Sequence, residues 1–300
     1  GGEFFMSSPL VVSTVSGNPE ASAGAEKSAA IGIANFEVDN DEQAAKLAKT
    51  LISYLPANSF EDKNYLPSSD DINRLADISA MNAGAPRNVL SQIADNGEYL
   101  EISARYAPEI LTAFTRFDGE TVAVVGAYGD ISAAGAKKAA SFINFADTFG
   151  ISVLSVVNAS GFDCSAEFEQ NGGVFSAAAL ASAYADASVP MVTLITGKAT
   201  GSAYVALGAR GLGCDMVYAW PQAEISAMDA PCAVALLCED DLSAAENPIA
   251  ERERLTREFS DKLAAPYEAA KRGYVDEVID PAETRQAVVY AFGLLSTKII

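Results

Sequence analysis

An α/β fold is predicted by two observations. From Val122 onward, apolar runs of strand length alternate with longer alanine-rich stretches at helical spacing. Glycine and alanine are frequent, while aromatic residues make up only 9% of the chain. Small residues let helices lie close on strands, as layered α/β domains require. With 300 residues, 50% of them hydrophobic, the chain can bury a sizeable core in one large domain or two small ones.

Taken in order, residues 1–30 are small and polar, with a turn at Gly17-Asn18-Pro19, and are expected to hold no self-sufficient element. A helix starts at Asn40 as N-cap, with Ala44, Ala45, Leu47, Ala48, Leu51 and Ile52 as its apolar face, and stops at Pro56. The two prolines, serines and mixed charge of 56–71 mark a loop or linker. Val89 to Ile93 reads as a short helix and Tyr99 to Ile102 as a strand. Leu111–Phe117 and Thr121–Val125 read as a strand pair around Asp118-Gly119.

The alternation then runs strand to Gly126, helix Ala133–Phe149, strand Ile151–Val157, helix Phe175–Ser188 and strand Met191–Thr196. A Gly/Ser-rich turn is expected at 197–203, followed by a helix to about Leu212 and strands at Asp215–Ala219 and Glu224–Ala227. A helical stretch from Ser243 to Arg272 is interrupted near Pro248 and Pro266. After a short strand at Asp276–Ile279, a terminal helix runs from Pro281 to Leu295, with Asp280 as its cap.

Composition excludes several function classes. The chain carries 20 basic against 40 acidic residues, a formal charge of −20. Nucleic-acid binding needs counterion-releasing basic patches. The one arginine-rich stretch, Arg252, Arg254 and Arg257, is interleaved with Glu251, Glu253 and Glu258 and reads as a solvated helix face. Apolar runs are short and the start lacks a secretion signal, so a soluble cytoplasmic protein is expected. Cysteines 164, 214, 232 and 238 show no CxxC spacing and read as reduced and mostly structural. No metal site is expected.

The chain has no histidine. This removes Ser-His-Asp and Cys-His catalysis in one stroke and leaves carboxylates, Lys, Tyr, or preorganised backbone amides. The run Ile195 to Tyr204 carries an apolar strand into small residues and then a helix, a junction that offers free N–H groups to a ligand and room for a carbonyl. A close-packed turn without chemistry is the competing reading. Val157 to Phe162 is a second loop after an apolar strand, on the edge where open α/β sheets bind ligands. Asp163, Glu167 and Glu169 read as a solvated acidic loop, Lys198 as a surface lysine, and Cys164 is ambiguous.

The run Gly197-Lys198-Ala199-Thr200-Gly201-Ser202-Ala203-Tyr204, followed by Ala219-Trp220-Pro221-Gln222-Ala223-Glu224-Ile225 and Met228, resembles the carboxyl-terminal lobe of biotin-dependent carboxyltransferases. The helix beginning at Gly135 with Phe142, Phe145 and Asp147, the loop Ser160-Gly161-Phe162, and the ending Gly273 to Pro281 with Thr284-Arg285 match in the same order. Phe5-Met6-Ser7-Ser8-Pro9 and Ser53-Tyr54-Leu55-Pro56 extend the likeness to nearly the whole chain.

The resemblance implies a crotonase-like (ClpP/crotonase) fold of ββα superhelical turns, this chain being the second lobe. Residues 1–30 would be the tail of a missing first lobe and 31–300 the carboxyltransferase C-terminal domain. It further implies carboxyl transfer between biotin on a carrier protein and the α-carbon of a coenzyme A thioester. The amides of Ser202 and Ala203 would hold the biotin ureido oxygen, and Gly161, Phe162, Thr200, Gly201 and Tyr204 would line the pocket. Implied partners are a biotin carboxyl carrier protein, a first-lobe chain and further copies in a homo- or hetero-oligomer, with a membrane reached only through a decarboxylase-pump subunit.

The sequence departs from the family pattern at Val205, where many members carry Asp, and at Phe175–Ala179, where they carry Arg-His-Gly-Ala-Lys. Its Gly-Ser-Ala-Tyr run with an apolar follower is closer to decarboxylase-type or divergent members. A crotonase-type acyl-CoA hydratase or hydrolase, and a non-catalytic scaffold for a biotin carrier, are the alternatives.

Overall fold

A computed structural model describes residues 5–17, 24–58, 65–81 and 84–298. Its centre is an eight-stranded sheet in which β1 (Tyr99–Glu101), β2 (Ile110–Phe117) and β3 (Glu120–Ile131) form an antiparallel edge. From β3 the sheet continues in parallel through β4 (Ser152–Phe162), β5 (Met191–Thr200), β6 (Met216–Ala219) and β8 (Glu277–Val278). The strand β7 (Glu224–Ser226) pairs with the far end of β5.

Because side chains alternate across a strand, successive residues feed opposite cores. Ala123, Val125, Val153 and Ile195 pack on one face, beneath α5 (Ala133–Thr148), α7 (Gly173–Asp186) and α8 (Gly201–Ala206). Val122, Val124, Leu154 and Val192 pack on the other, against α4 (Pro86–Ile93) and α13 (Thr284–Leu295). Alanines on α5 and α7 allow the close approach. The remaining helices are α1 (Pro9–Ser16), α2 (Ala25–Ala30), α3 (Asp41–Tyr54), α6 (Ala166–Gln170), α9 (Ala230–Leu237), α10 (Glu239–Ala244), α11 (Pro248–Lys262) and α12 (Pro266–Lys271).

Local signals behave as chemistry requires. Asn40 caps α3 by accepting from the Gln43 amide, and Asp280 accepts from the Ala282 amide. Asp118 and Gly119 have φ of 50° and 81°, the two-residue hairpin turn that joins β2 to β3. The Asp95 carboxylate accepts from both turn amides and pairs with the fully buried Arg285.

Within residues 1–30, expected to hold no self-sufficient element, Pro9–Ser16 and Ala25–Ala30 form the short helices α1 and α2, and α1 buries none of its residues; Asn18 and Pro19 of the expected turn lie outside the described residues. Three expectations are corrected. The turn expected at 197–203 is strand to Thr200 and then α8, because β7 supplies hydrogen-bonding partners beyond the apolar run. Likewise the loop expected at 158–162 is strand, since β3 runs on to pair Asp130 with Gly161 and Ile131 with Phe162. The helix expected to reach Leu212 ends at Ala206; Leu207 and the left-handed Gly208 turn the chain into a short 3-10 segment at Arg210–Leu212. Helix α9 was not anticipated; Asp229 caps it by accepting from the Cys232 amide.

Candidate active site

The site is built by a mismatch between β4 and β5. Their pairing runs evenly from Val153–Met191 to Val157–Ile195 and then jumps to Ala159–Ala199, so Asn158 alone stands opposite Thr196, Gly197 and Lys198. The Asn158 side chain fills the excess by accepting from the Lys198 amide at 3.0 Å. A Cβ on residue 197 would sit 2.4 Å from the Asn158 side-chain oxygen, which makes glycine a steric requirement. Thr196 donates its hydroxyl to the Gly84 carbonyl at 2.7 Å, tying the start of the excess to the approach to α4.

Beyond the mismatch the two strand ends are rejoined. The Thr200 hydroxyl donates to the Ser160 carbonyl, and Thr200 stands level with Ser226 of β7 on its other side. The glycines that follow the two bonded residues, Gly161 and Gly201, therefore lie on one edge of the sheet. That edge is the carboxyl end of parallel strands, where open sheets bind ligands.

At Gly201 φ is 64°, and the chain turns directly into α8. The first amides of a helix have no intrahelical acceptor. In α8 these belong to Gly201, Ser202 and Ala203, and Thr200 makes no side-chain capping bond to them. Ser202 is exposed and Ala203 fully buried. A Cβ would meet nothing within 4 Å at Gly161 and only the Ala227 carbonyl, at 3.6 Å, at Gly201. At Gly161 and Gly201 the backbone faces open space, and what such backbone can offer chemically is hydrogen-bond donation to a developing negative charge.

The other expected residues divide. Phe162 stacks on Phe168 with centroids 5.9 Å apart, forming a wall beside Gly161. Tyr204 turns its ring onto the core, and its buried hydroxyl has no hydrogen-bond partner among the described residues. Burial pushes that phenol up to about 12, with Cys214 and Tyr274 adding to the effect, so it stays protonated. Asp163 accepts from the Ser165 amide and hydroxyl and so shapes the entry to α6. Asn158 and Ser226 were not singled out by the sequence; neither has a motif, and both act through strand register.

Among the described residues no helix is long and apolar enough to cross a membrane. A cavity of about 420 Å³ lies against α5 and is lined by none of these site residues.

The Carboxyl transferase domain family matches residues 2–300. The chain is 36% identical over 310 residues to the propionyl-CoA carboxylase carboxyltransferase subunit of Haloferax mediterranei, covering 98% of this chain and 60% of that protein. It is also 36% identical over 309 residues to the methylmalonyl-CoA carboxyltransferase 12S subunit of Propionibacterium freudenreichii subsp. shermanii, covering 98% of this chain and 59% of that one. A crystal structure of a transcarboxylase 12S hexamer with methylmalonyl-coenzyme A and methylmalonic acid bound superposes with a TM-score of 0.93 at 35% identity, over 99% of this chain and 60% of that one. The chain thus spans about 60% of the length of the relatives it matches. Continuous similarity at this level, over a crotonase-like α/β lobe with its amide-bearing strand edge, makes this chain a member of the carboxyl transferase domain family.

Proposed function

We propose that this chain supplies the biotin-side half of a carboxyltransferase site, at which a carboxyl group passes between biotin on a carrier protein and the α-carbon of an acyl-CoA. The observation that carries the reading is the junction of Thr200 with α8, where no side chain caps the first helical amides and the backbone at Gly161 and Gly201 meets open space. A ureido group needs donors to its oxygen and room for its ring. The uncapped amides and the side-chain-free backbone at Gly161 and Gly201 fit both needs.

Bound biotin supplies the transferable carboxyl group and, once relieved of it, a ureido nitrogen basic enough to take the α-proton. The residues of this chain do the rest. The Ser202 and Ala203 amides donate to the ureido oxygen and stabilise charge that builds there; loss of one such donor costs on the order of 10²–10³ in rate in comparable sites. Gly161 and Gly201 let the backbone come close, Phe162 excludes water on one side, and the Thr200–Ser160 bond fixes the distance between the two strand ends. No histidine base is required.

The acyl-CoA half is assigned to a first lobe, for which residues 1–30 form the tail. In keeping with this, Phe175 is 81% exposed near the start of α7 and Val205 is 52% exposed on α8, helices that pack on each other, as apolar surface awaiting a first lobe would be. Assembly with that lobe and with a biotin carboxyl carrier protein in an oligomer follows from the same reading.

The test combines the chain with its first-lobe partner, carboxylated carrier and a panel of acyl-CoAs, following labelled carboxyl. Transfer to the thioester is the expected result. Hydration or hydrolysis of the thioester without transfer would instead favour a hydratase or hydrolase, and binding of carrier without turnover a scaffold.

A further inference from the structure

The cavity against α5 lies apart from the transfer site. It forms where α5 and β2 meet the loop after β1 and the segment between α2 and α3. Its floor is apolar: Ile102, Phe114 and Phe142 are buried there, and the Phe145 ring stands 6.1 Å from that of Phe114.

The walls are held by polar bonds made away from the opening. Ser103 donates its amide to the Asn35 carbonyl and its hydroxyl to the Asn35 side chain, each at 2.9 Å. Arg105 pairs with both Glu26 and Glu37, so the outer segment is anchored at two points. A Cβ on Gly32, whose φ is 79°, would strike the Tyr106 ring at 2.8 Å, showing how closely the two walls meet there. Lys138 spends its ammonium on the carbonyls of Ser103, Tyr106 and Ile110 at 2.9, 2.7 and 2.7 Å. Thr112 donates to the Ile102 carbonyl at 2.7 Å.

With those groups satisfied, polar side chains of the lining remain available, among them the exposed Lys137 and Ser141. Lys137 and Ser141 are exposed and four residues apart on α5, and neither has a partner among the described residues. An unpaired cation beside an aromatic floor suits an anion with an apolar body, a local attraction that has to outweigh the repulsion from a chain of net charge −20.

We propose that this cavity binds a medium-chain monocarboxylate, its hydrocarbon tail on Phe114, Phe142 and Phe145 and its carboxylate at Lys137. The assignment is independent of the transfer chemistry.

Calorimetric titration of the full protein in its assembled form with decanoate, and with decanol as the uncharged control, tests it. Decanoate is expected to bind saturably at one site per chain and more tightly than decanol. Lys137→Glu should weaken decanoate on the order of tenfold and leave decanol unchanged, since an exposed pair and its reversal together amount to about 1 to 1.5 kcal/mol. Ser141→Phe, which adds bulk at the opening from an exposed helix position, should abolish both; Ser141→Leu serves if the larger ring disturbs folding. The proposal is overturned by the absence of saturable binding, as would follow if another part of the polypeptide or a second copy covers the opening. It is equally overturned by decanoate binding that survives the Ser141 variants, or by indifference to Lys137→Glu.

Discussion

The hydroxyl of Thr200, at the last residue of β5, donates to the carbonyl of Ser160 on β4, closing the two strands together just past the point where their pairing slips. Thr200→Val removes that bond and leaves a carbonyl to find water or stay unpaired, at about 1–2 kcal/mol. We expect a lower unfolding midpoint and carboxyl transfer reduced about tenfold, with Thr200→Ser recovering both. Transfer unaffected in a Thr200→Val protein would detach the strand-end bond from the site.

Gly197 is predicted to be intolerant for a different reason. Its added Cβ in Gly197→Ala would overlap the Asn158 amide at 2.4 Å, and overpacking of this kind costs about 1–3 kcal/mol. Chemical unfolding should show the loss. Gly197→Ala/Asn158→Ala should regain part of it, because the second change removes the obstructing group.

Ser202 separates backbone from side chain. Ser202→Ala and Ser202→Gly keep the amide and should retain most of the transfer rate, whereas Ser202→Pro removes it and should lose about two to three orders of magnitude. Circular dichroism and assembly state on the same samples distinguish a lost donor from a lost fold. An inactive but well-folded Ser202→Ala protein would assign the chemistry to the hydroxyl.

Arg285 is predicted to dominate stability away from the site. Fully buried, it pairs with Asp95 at 2.8 Å and donates to the Ile93 carbonyl at 2.7 Å. Arg285→Met strands Asp95 without its cation, at about 3–5 kcal/mol. Arg285→Met/Asp95→Asn should recover part of the loss, since the amide oxygen can still accept from one of the two turn amides without carrying charge. Urea midpoints of the three proteins would show this order.

A pH dependence comes from the same region. Hydrogen bonds from Arg74, the Asn96 amide and the charge of Arg285 hold the Asp70 carboxyl down to about 2, from an ordinary 3.8. A lowered carboxylate stabilises the fold fully above its unfolded value and loses that contribution as pH falls through the folded one. Between about pH 4 and 2 the unmodified protein should therefore lose stability more steeply than Asp70→Asn. Equal slopes in that window would contradict the pairing.

Much of this architecture can be read from local chemistry. Asn40 and Asp280 are polar caps before helices, and Asp118-Gly119 is the residue pair that a tight hairpin selects. The far ends of β4 and β5 cannot be read in that way. Asn158 to Phe162 and Gly197 to Thr200 lack apolar alternation and become strand only because β3 and β7 arrive to pair with them. Helix α9 follows the same logic in reverse, its Ala and Cys content carrying no clear period. The family resemblance implied roles for Gly201, Ser202 and Ala203, but the inward turn of the Tyr204 hydroxyl depends on which side of α8 meets the core.

One edge of β5 is served by two strands in series, β6 along Val192–Ile195 and β7 along Lys198–Thr200, with Trp220 between them donating its amide to Ile195. The distal tract can thus fray without unzipping the proximal one. In deuterated solvent the amides of 198–200 should exchange on their own, faster clock, while those of 192–195 wait for global opening. Insertions and drift in the β6–β7 connection would retune the strand tip and leave the stem of the sheet untouched.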